Sequence, residues 1–185
     1  FCPGSRQSEI KIFMPIFLEI MNSLGNKYIY HFAITNSTHY GVQKYLKDID
    51  KSRIIIASDE NEKKKYFTKS LISIAKSGTI SLDLCKSQIP FFTIYKFNWL
   101  NYFLIIPFVK VKFVNIVNII ANKEIIPEFI QANCNSKKII NHLHFLLNNK
   151  NELKKMIVDY NVVLQGFSNK NTSEKIAQDL VNNLK

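Results

Sequence analysis

The sequence predicts an α/β domain, a doubly wound parallel sheet with a helical C-terminal tail. Short β-type runs alternate with amphipathic helical runs through residue 117, the pattern of parallel strands joined by crossover helices. Two small-residue loops, Pro3-Gly4-Ser5-Arg6 and Ser77-Gly78-Thr79, each lie between a strand-like run and a helix. After residue 117 the apolar spacing is helical throughout.

Taken in order, residues 1–2 read as the end of a strand. Ile10, Phe13, Met14, Phe17, Met21 and Leu24 recur at helical spacing, and Gly25 follows as a stop. Residues 28–34 form a β-type run. Asn36-Ser37-Thr38 supplies cap signals for a second helix carrying Val42, Tyr45, Leu46 and Ile49. Residues 53–57 read as a short buried strand, and the charged 60–69 segment as a solvated helix. Residues 71–75 are a strand that leads into Ser77-Gly78-Thr79 and a helix ending near residue 87. Residues 90–95 are strand-like, 98–106 an aromatic-rich helix, and 113–117 the last strand. Helices follow on Ile139, Leu143 and Leu147, on Leu153, Met156 and Tyr160, and on Ile176, Leu180 and Leu184, the last capped at Asn171 or Thr172. The Gln165-Gly166 stretch up to Asn171 reads as a hinge. It divides the chain into a domain over 1–165 and a C-terminal helix over 166–185.

At 185 residues the chain fits one domain with a single core. It opens without methionine at a strand end, and is expected to be part of a larger protein. The formal charge of +11 is spread along the chain, and the enrichment in Lys, Asn and Ile reads as compositional bias. A basic surface favours anionic partners such as nucleotides or acidic lipid headgroups. Nucleic acid is not expected, because no basic–aromatic motif of its usual modules appears.

Cys2, Cys85 and Cys134 have neither metal spacing nor a disulfide framework, which fits a reducing cytosol. His142 and His144, two apart on a helix, point to different sides, and His31 and His39 lack companions. No metal site and no cofactor are expected. Residues 103–109 are the most apolar stretch, broken at Pro107 and too short to span a bilayer. The aromatic cluster Tyr95, Phe97, Trp99, Tyr102, Phe103 and Phe108 reads first as core, and second as a patch that meets acyl chains or a membrane surface.

The two loops carry the chemistry. A small-residue turn ahead of a helix aims backbone N–H groups and the helix dipole at an anion. Arg6 lies in the first loop, and Arg6 and Arg53 are the arginines among 25 basic residues. An arginine there, in a lysine-biased chain, suits bidentate phosphate binding. Gly4, Ser5 and Arg6 with Ser77, Gly78 and Thr79 therefore form a candidate nucleotide-diphosphate site, although each loop alone also reads as an ordinary strand-to-helix turn. Asp83 lies one helical turn beyond Thr79, as an acceptor for ribose hydroxyls or as a helix-dipole partner.

Pro3-Gly4-Ser5-Arg6 with Glu9, Ile10 and Pro15, then Ala75 to Thr79, Tyr95-Lys96, Val109-Lys110-Val111, Asn118, Ala121 and Pro127-Glu128-Phe129-Ile130-Gln131, together resemble the C-terminal half of the lipid-A-disaccharide synthase family. The resemblance implies a GT-B glycosyltransferase, of which this chain is the Rossmann-like nucleotide-sugar-binding domain. It implies transfer from UDP-2,3-diacylglucosamine to 2,3-diacylglucosamine 1-phosphate, giving the β-1′,6-linked disaccharide and UDP, with no metal holding the diphosphate. Arg6 would neutralise charge on the leaving UDP, and Ser77, Gly78 and Thr79 would hold phosphate oxygens. Asn118 would lie near the diphosphate or sugar, with Glu128 nearby. Asp83 stands where the family usually has Glu. Further implied are an N-terminal domain that carries the base and a peripheral place on the cytoplasmic face of the bacterial inner membrane, while a homodimer stays open. The competing readings are another UDP-sugar transferase of the same fold and a non-catalytic nucleotide-binding remnant.

Overall fold

The computed structural model describes residues 1–96 and 112–168. Helix α1 (Gln7–Leu24) buries Ile10, Phe13, Met14, Phe17, Ile20 and Met21 on one face and ends at Gly25, whose φ of 61° suits a residue without Cβ. Strand β1 (Tyr30–Ala33) leads to α2 (His39–Leu46), and β2 (Ile54–Ala57) to α3 (Glu60–Phe67). Strand β3 (Ser73–Lys76) precedes α4 (Ile80–Lys86), and β4 (Phe91–Tyr95) follows. Then come α5 (Ile116–Ala121), β5 (Glu128–Ile130), α6 (Ser136–Asn148) and α7 (Lys150–Ser168).

Strands β1 and β2 pair in parallel, as do β3, β4 and β5 in that order. Phe1 and Cys2 join the two sheets. The Phe1 nitrogen donates to the His31 carbonyl and the Ala33 N–H to the Phe1 carbonyl; Cys2 N–H donates to Ile74, and Lys76 N–H returns to Cys2. The rung at Cys2 and Ala75 is parallel. With residues 1–2 counted as the first strand, the order across the sheet is 3-2-1-4-5-6, that of a Rossmann-like doubly wound fold. The order reverses between Cys2 and β3. The predicted loops at residues 3–6 and 77–79 leave the sheet there, side by side.

Helix α1 packs on α2 and α6, while α7 packs on α4, α5 and α6. The core joins Phe17, Phe32, Phe91, Phe92 and Tyr160 with Phe1, whose ring stacks on Phe17 at 4.4 Å.

Three sequence expectations need correction. Residues 113–117 are not a strand: Asn115 caps α5 by accepting from the Val117 N–H at 2.9 Å, and the Val114 and Asn115 amides donate to Glu128 instead of a ladder. Among the described residues the last strand is β5, too short for its periodicity to register in sequence. The third strand begins at Ser73, two residues later than expected, because Leu71 is exposed ahead of the sheet. Gly166 lies inside α7, which runs through Ser168, while the rest of the expected hinge, up to Asn171, lies outside the described residues. The aromatic helix expected over 98–106, the Val109-Lys110-Val111 run and the tail helix on Ile176 and Leu184 lie outside the described residues.

Candidate functional site

Gly4 opens the first loop with a φ of 105°, a backbone that L side chains rarely adopt. Its missing Cβ also makes room for Glu9, since a Cβ there would sit 2.1 Å from the Glu9 carboxylate. Glu9 Oε2 accepts the Ser5 amide at 2.9 Å and the Arg6 amide at 3.2 Å. This is the reach-back of a helix N-terminal carboxylate to the chain entering it. Glu9 Oε1 lies 3.1 Å from Lys76 Nζ at the end of β3. One carboxylate thus fastens the first loop to the strand that carries the second. Ser37 Oγ donates to the Ser5 carbonyl and Gln7 Nε2 to the Ser37 carbonyl, which holds the loop from the β1 side.

In the second loop Ser77 is buried. Its N–H donates to Ile94 and its hydroxyl to the Val114 carbonyl at 2.7 Å. Gly78 and Thr79 are exposed at its tip. Both loops wall a cleft of about 230 Å³ at the carboxyl ends of the strands, with Gly4, Ser5, Ser77, Gly78, Thr79 and Asp83 lining it. Glu9, Lys76, Glu60 and Lys63 line it as well. Arg6 follows Ser5 but does not line the cleft; its side chain is 78% exposed and 3.9 Å from Glu9.

A larger cavity of about 590 Å³ lies at the other end of the strands, between Phe1, Tyr30, His31 and Leu143. Its walls are mostly apolar, and burial pushes His31 down to about 3. Lys27 and Lys69 are its charged lining residues, and neither small-residue loop faces it. Arg53, also far from the loops, donates to the Asn26 side chain and the Gly25 carbonyl, where it caps the end of α1. The three thiols are buried, and burial raises each, with Cys85 pushed up to about 12. None is a ready nucleophile. Among the described residues, no group of three or more His, Cys, Asp or Glu side chains is placed to hold a metal ion.

Asn118 and Glu128 sit outside this cleft. Asn118 is fully buried, and its amide makes four bonds within the protein. Nδ2 donates to the Ile126 carbonyl and to Glu128, while Oδ1 accepts the Ile125 and Ile126 amides. That is the full capacity of the group. Glu128 accepts the Val114 and Asn115 amides besides. The pair holds residues 114–128 together and, through the Ser77–Val114 bond, steadies the second loop from behind. Asn115 extends the network, donating to Ser81 Oγ and Thr93 Oγ1 at 3.1 and 2.7 Å.

Sequence reasoning missed Asn115 because asparagine is common in this chain. Its place just ahead of an apolar run was the available cap signal. It also missed Lys63, hidden in a Lys-Lys-Lys run, where the fourfold spacing to buried Phe67 marks the inward face.

A family model described as lipid-A-disaccharide synthetase matches residues 1–180. The chain belongs to the lipid-A-disaccharide synthetase family. It is 34% identical over 185 residues to the lipid-A-disaccharide synthase of Rickettsia felis, covering 96% of this chain and 46% of that relative. The corresponding synthase of Rickettsia prowazekii is 32% identical, over 96% of this chain and 48% of its own length. That of Rickettsia conorii is 35% identical over 88% of this chain. The chain therefore spans about half the length of the curated relatives it matches. For this member of the lipid-A-disaccharide synthetase family, both small-residue loops meet at the reversal of strand order, the place where open α/β sheets bind ligands. No helix among the described residues is long and apolar enough to cross a membrane.

Proposed function

We propose that this chain is the donor-binding half of a lipid A glycosyltransferase. It takes UDP-2,3-diacylglucosamine, and the complete enzyme transfers the sugar to 2,3-diacylglucosamine 1-phosphate, releasing UDP. The observation that carries this reading is the placement of Gly4, Ser5, Ser77, Gly78 and Thr79 around one cleft at the switch point of the sheet. The cleft is smaller than a whole nucleotide sugar, which suits the diphosphate, with the base and the acylated sugar extending beyond it.

Arg6, exposed beside the first loop, approaches the diphosphate as a bidentate donor and offsets charge on the departing UDP. The exposed Gly78 amide and Thr79 hydroxyl meet phosphate oxygens, and Asp83 accepts from the ribose. Glu9 occupies the Ser5 and Arg6 amides, so the first loop contributes shape and the Arg6 side chain, not a free amide nest. Asn118 and Glu128 act through the loops they hold. The diphosphate is met by cations and backbone, with no metal in this scheme. The acylated substrates draw the enzyme to the inner face of the bacterial inner membrane as a peripheral protein. The remainder of the enzyme supplies the acceptor site and the base.

Titration calorimetry with UDP tests the reading. Binding is expected with the same affinity in the presence of magnesium and of a chelator. Strict dependence on magnesium, or no binding at all, overturns it.

A further inference from the structure

We infer that Lys63 is a phosphate-binding residue of this cleft, held by Glu60 until the diphosphate of a nucleotide takes that carboxylate's place; the inference rests on the nucleotide reading above. Helix α3 is otherwise a solvated element. Lys64 and Lys65 are exposed, whereas the Lys63 side chain is only 9% exposed and lines the cleft with Cys2, Ser77 and Asp83. Asp59, which caps α3 by accepting the Asn61 and Glu62 amides, fixes the start of the helix at the end of β2. Phe67, buried one turn later on the same face, turns Lys63 inward.

A lysine that remains in solution extends its ammonium into water. Withdrawing that charge is costly unless a well-held anion accompanies it. Lys63 Nζ donates to Glu60 Oε1 at 2.7 Å, but Glu60 is itself 71% exposed and pairs at i, i+3 on the same helix. Such a pair is weak and screened by solvent. The ammonium is thus committed to the cleft while its counter-ion is free to return to water. The opposite wall differs: the Glu9 carboxylate facing Lys76 is 12% exposed and tied to two loop amides. Of Lys63 and Lys76, the ammonium groups in the cleft among the described residues, Lys63 is the one whose carboxylate an incoming phosphate displaces at little cost.

The test is calorimetry on the 185-residue chain with uridine, UMP and UDP. Lys63→Gln is expected to weaken UDP binding about tenfold, UMP less, and uridine not at all, with Lys63→Arg restoring most of the loss. Glu60→Gln, at an exposed position, is expected to strengthen UDP binding about two- to fivefold by removing the competitor. UDP affinity unchanged in Lys63→Gln, or an equal loss for uridine, overturns the inference and leaves the nucleotide reading standing. Failure of the unaltered chain to bind UDP overturns both. Should Lys63→Gln not fold, Glu60→Gln decides, and an unchanged UDP affinity there overturns the inference.

Discussion

Glu9 Oε1 lies 3.1 Å from Lys76 Nζ, and this contact ties the N-terminus of α1 to the end of β3 across the reversal of strand order. The same carboxylate takes two amides of the first loop. Loop amides ahead of a helix are an anion site in general; here the protein supplies the anion. The ligand-facing charge therefore falls to side chains at the rim and floor of the cleft.

The Gly4 position tests how closely Glu9 must approach. Gly4→Ala forces a side chain into a φ of 105° and toward the Glu9 carboxylate. It is expected to destabilise by about 2 kcal/mol, a fall in Tm of roughly 5 °C. Gly78→Ala is the control, because nothing lies within 4 Å of the added Cβ and no positive φ is required. Thermal melts of the two variants check this, and equal Tm values contradict it.

The two arginines separate binding from stability. Arg6 is exposed beside the first loop, whereas Arg53 holds the end of α1 and packs over the Tyr30 ring at 5.5 Å. Arg6→Lys keeps the charge but loses the planar fork. It is expected to weaken UDP binding about tenfold, ~1.4 kcal/mol, with Tm unchanged. Arg53→Lys is expected to lower Tm with UDP affinity unchanged. Calorimetry and melting on both variants read the result, and the opposite pattern reverses the assignment.

Much of this was legible in the sequence, for physical reasons that differ by element. Helix α1 announces itself because its apolar residues repeat through several turns before Gly25. The two loops are legible as strand-to-helix turns because glycine and serine cluster between a strand-like run and a helical one. Strand β5 was not, since three residues carry no measurable period, and the β-type look of residues 113–117 masked the cap at Asn115. Burial of Lys63 was hidden because composition assigns every lysine of a charged helix to solvent. The roles of Glu9 and Asn118 depend on which backbone groups lie within hydrogen-bond reach, and only the folded chain supplies that.

The last prediction concerns turnover. Catalysis of sugar transfer needs a group that removes the acceptor hydroxyl proton, held near its working pH and within reach of the donor. Of the four histidines, all among the described residues, two are unsuited to that work. Burial pushes His31 down to about 3, at the far end of the strands from the loops. Burial also lowers His142, which packs against the Phe92 and Phe129 rings. Glu9 is committed to Lys76 and two amides, and in the scheme proposed above Asp83 accepts from the ribose. The 185-residue chain is therefore expected to bind UDP yet form no disaccharide from the two acylated sugars, as read by mass spectrometry of the lipid products. Adding a separately expressed N-terminal half is expected to restore product, and Arg6→Lys in the reconstituted enzyme to lower kcat. Turnover by the chain alone would place the base among residues 1–185 and overturn the division of labour.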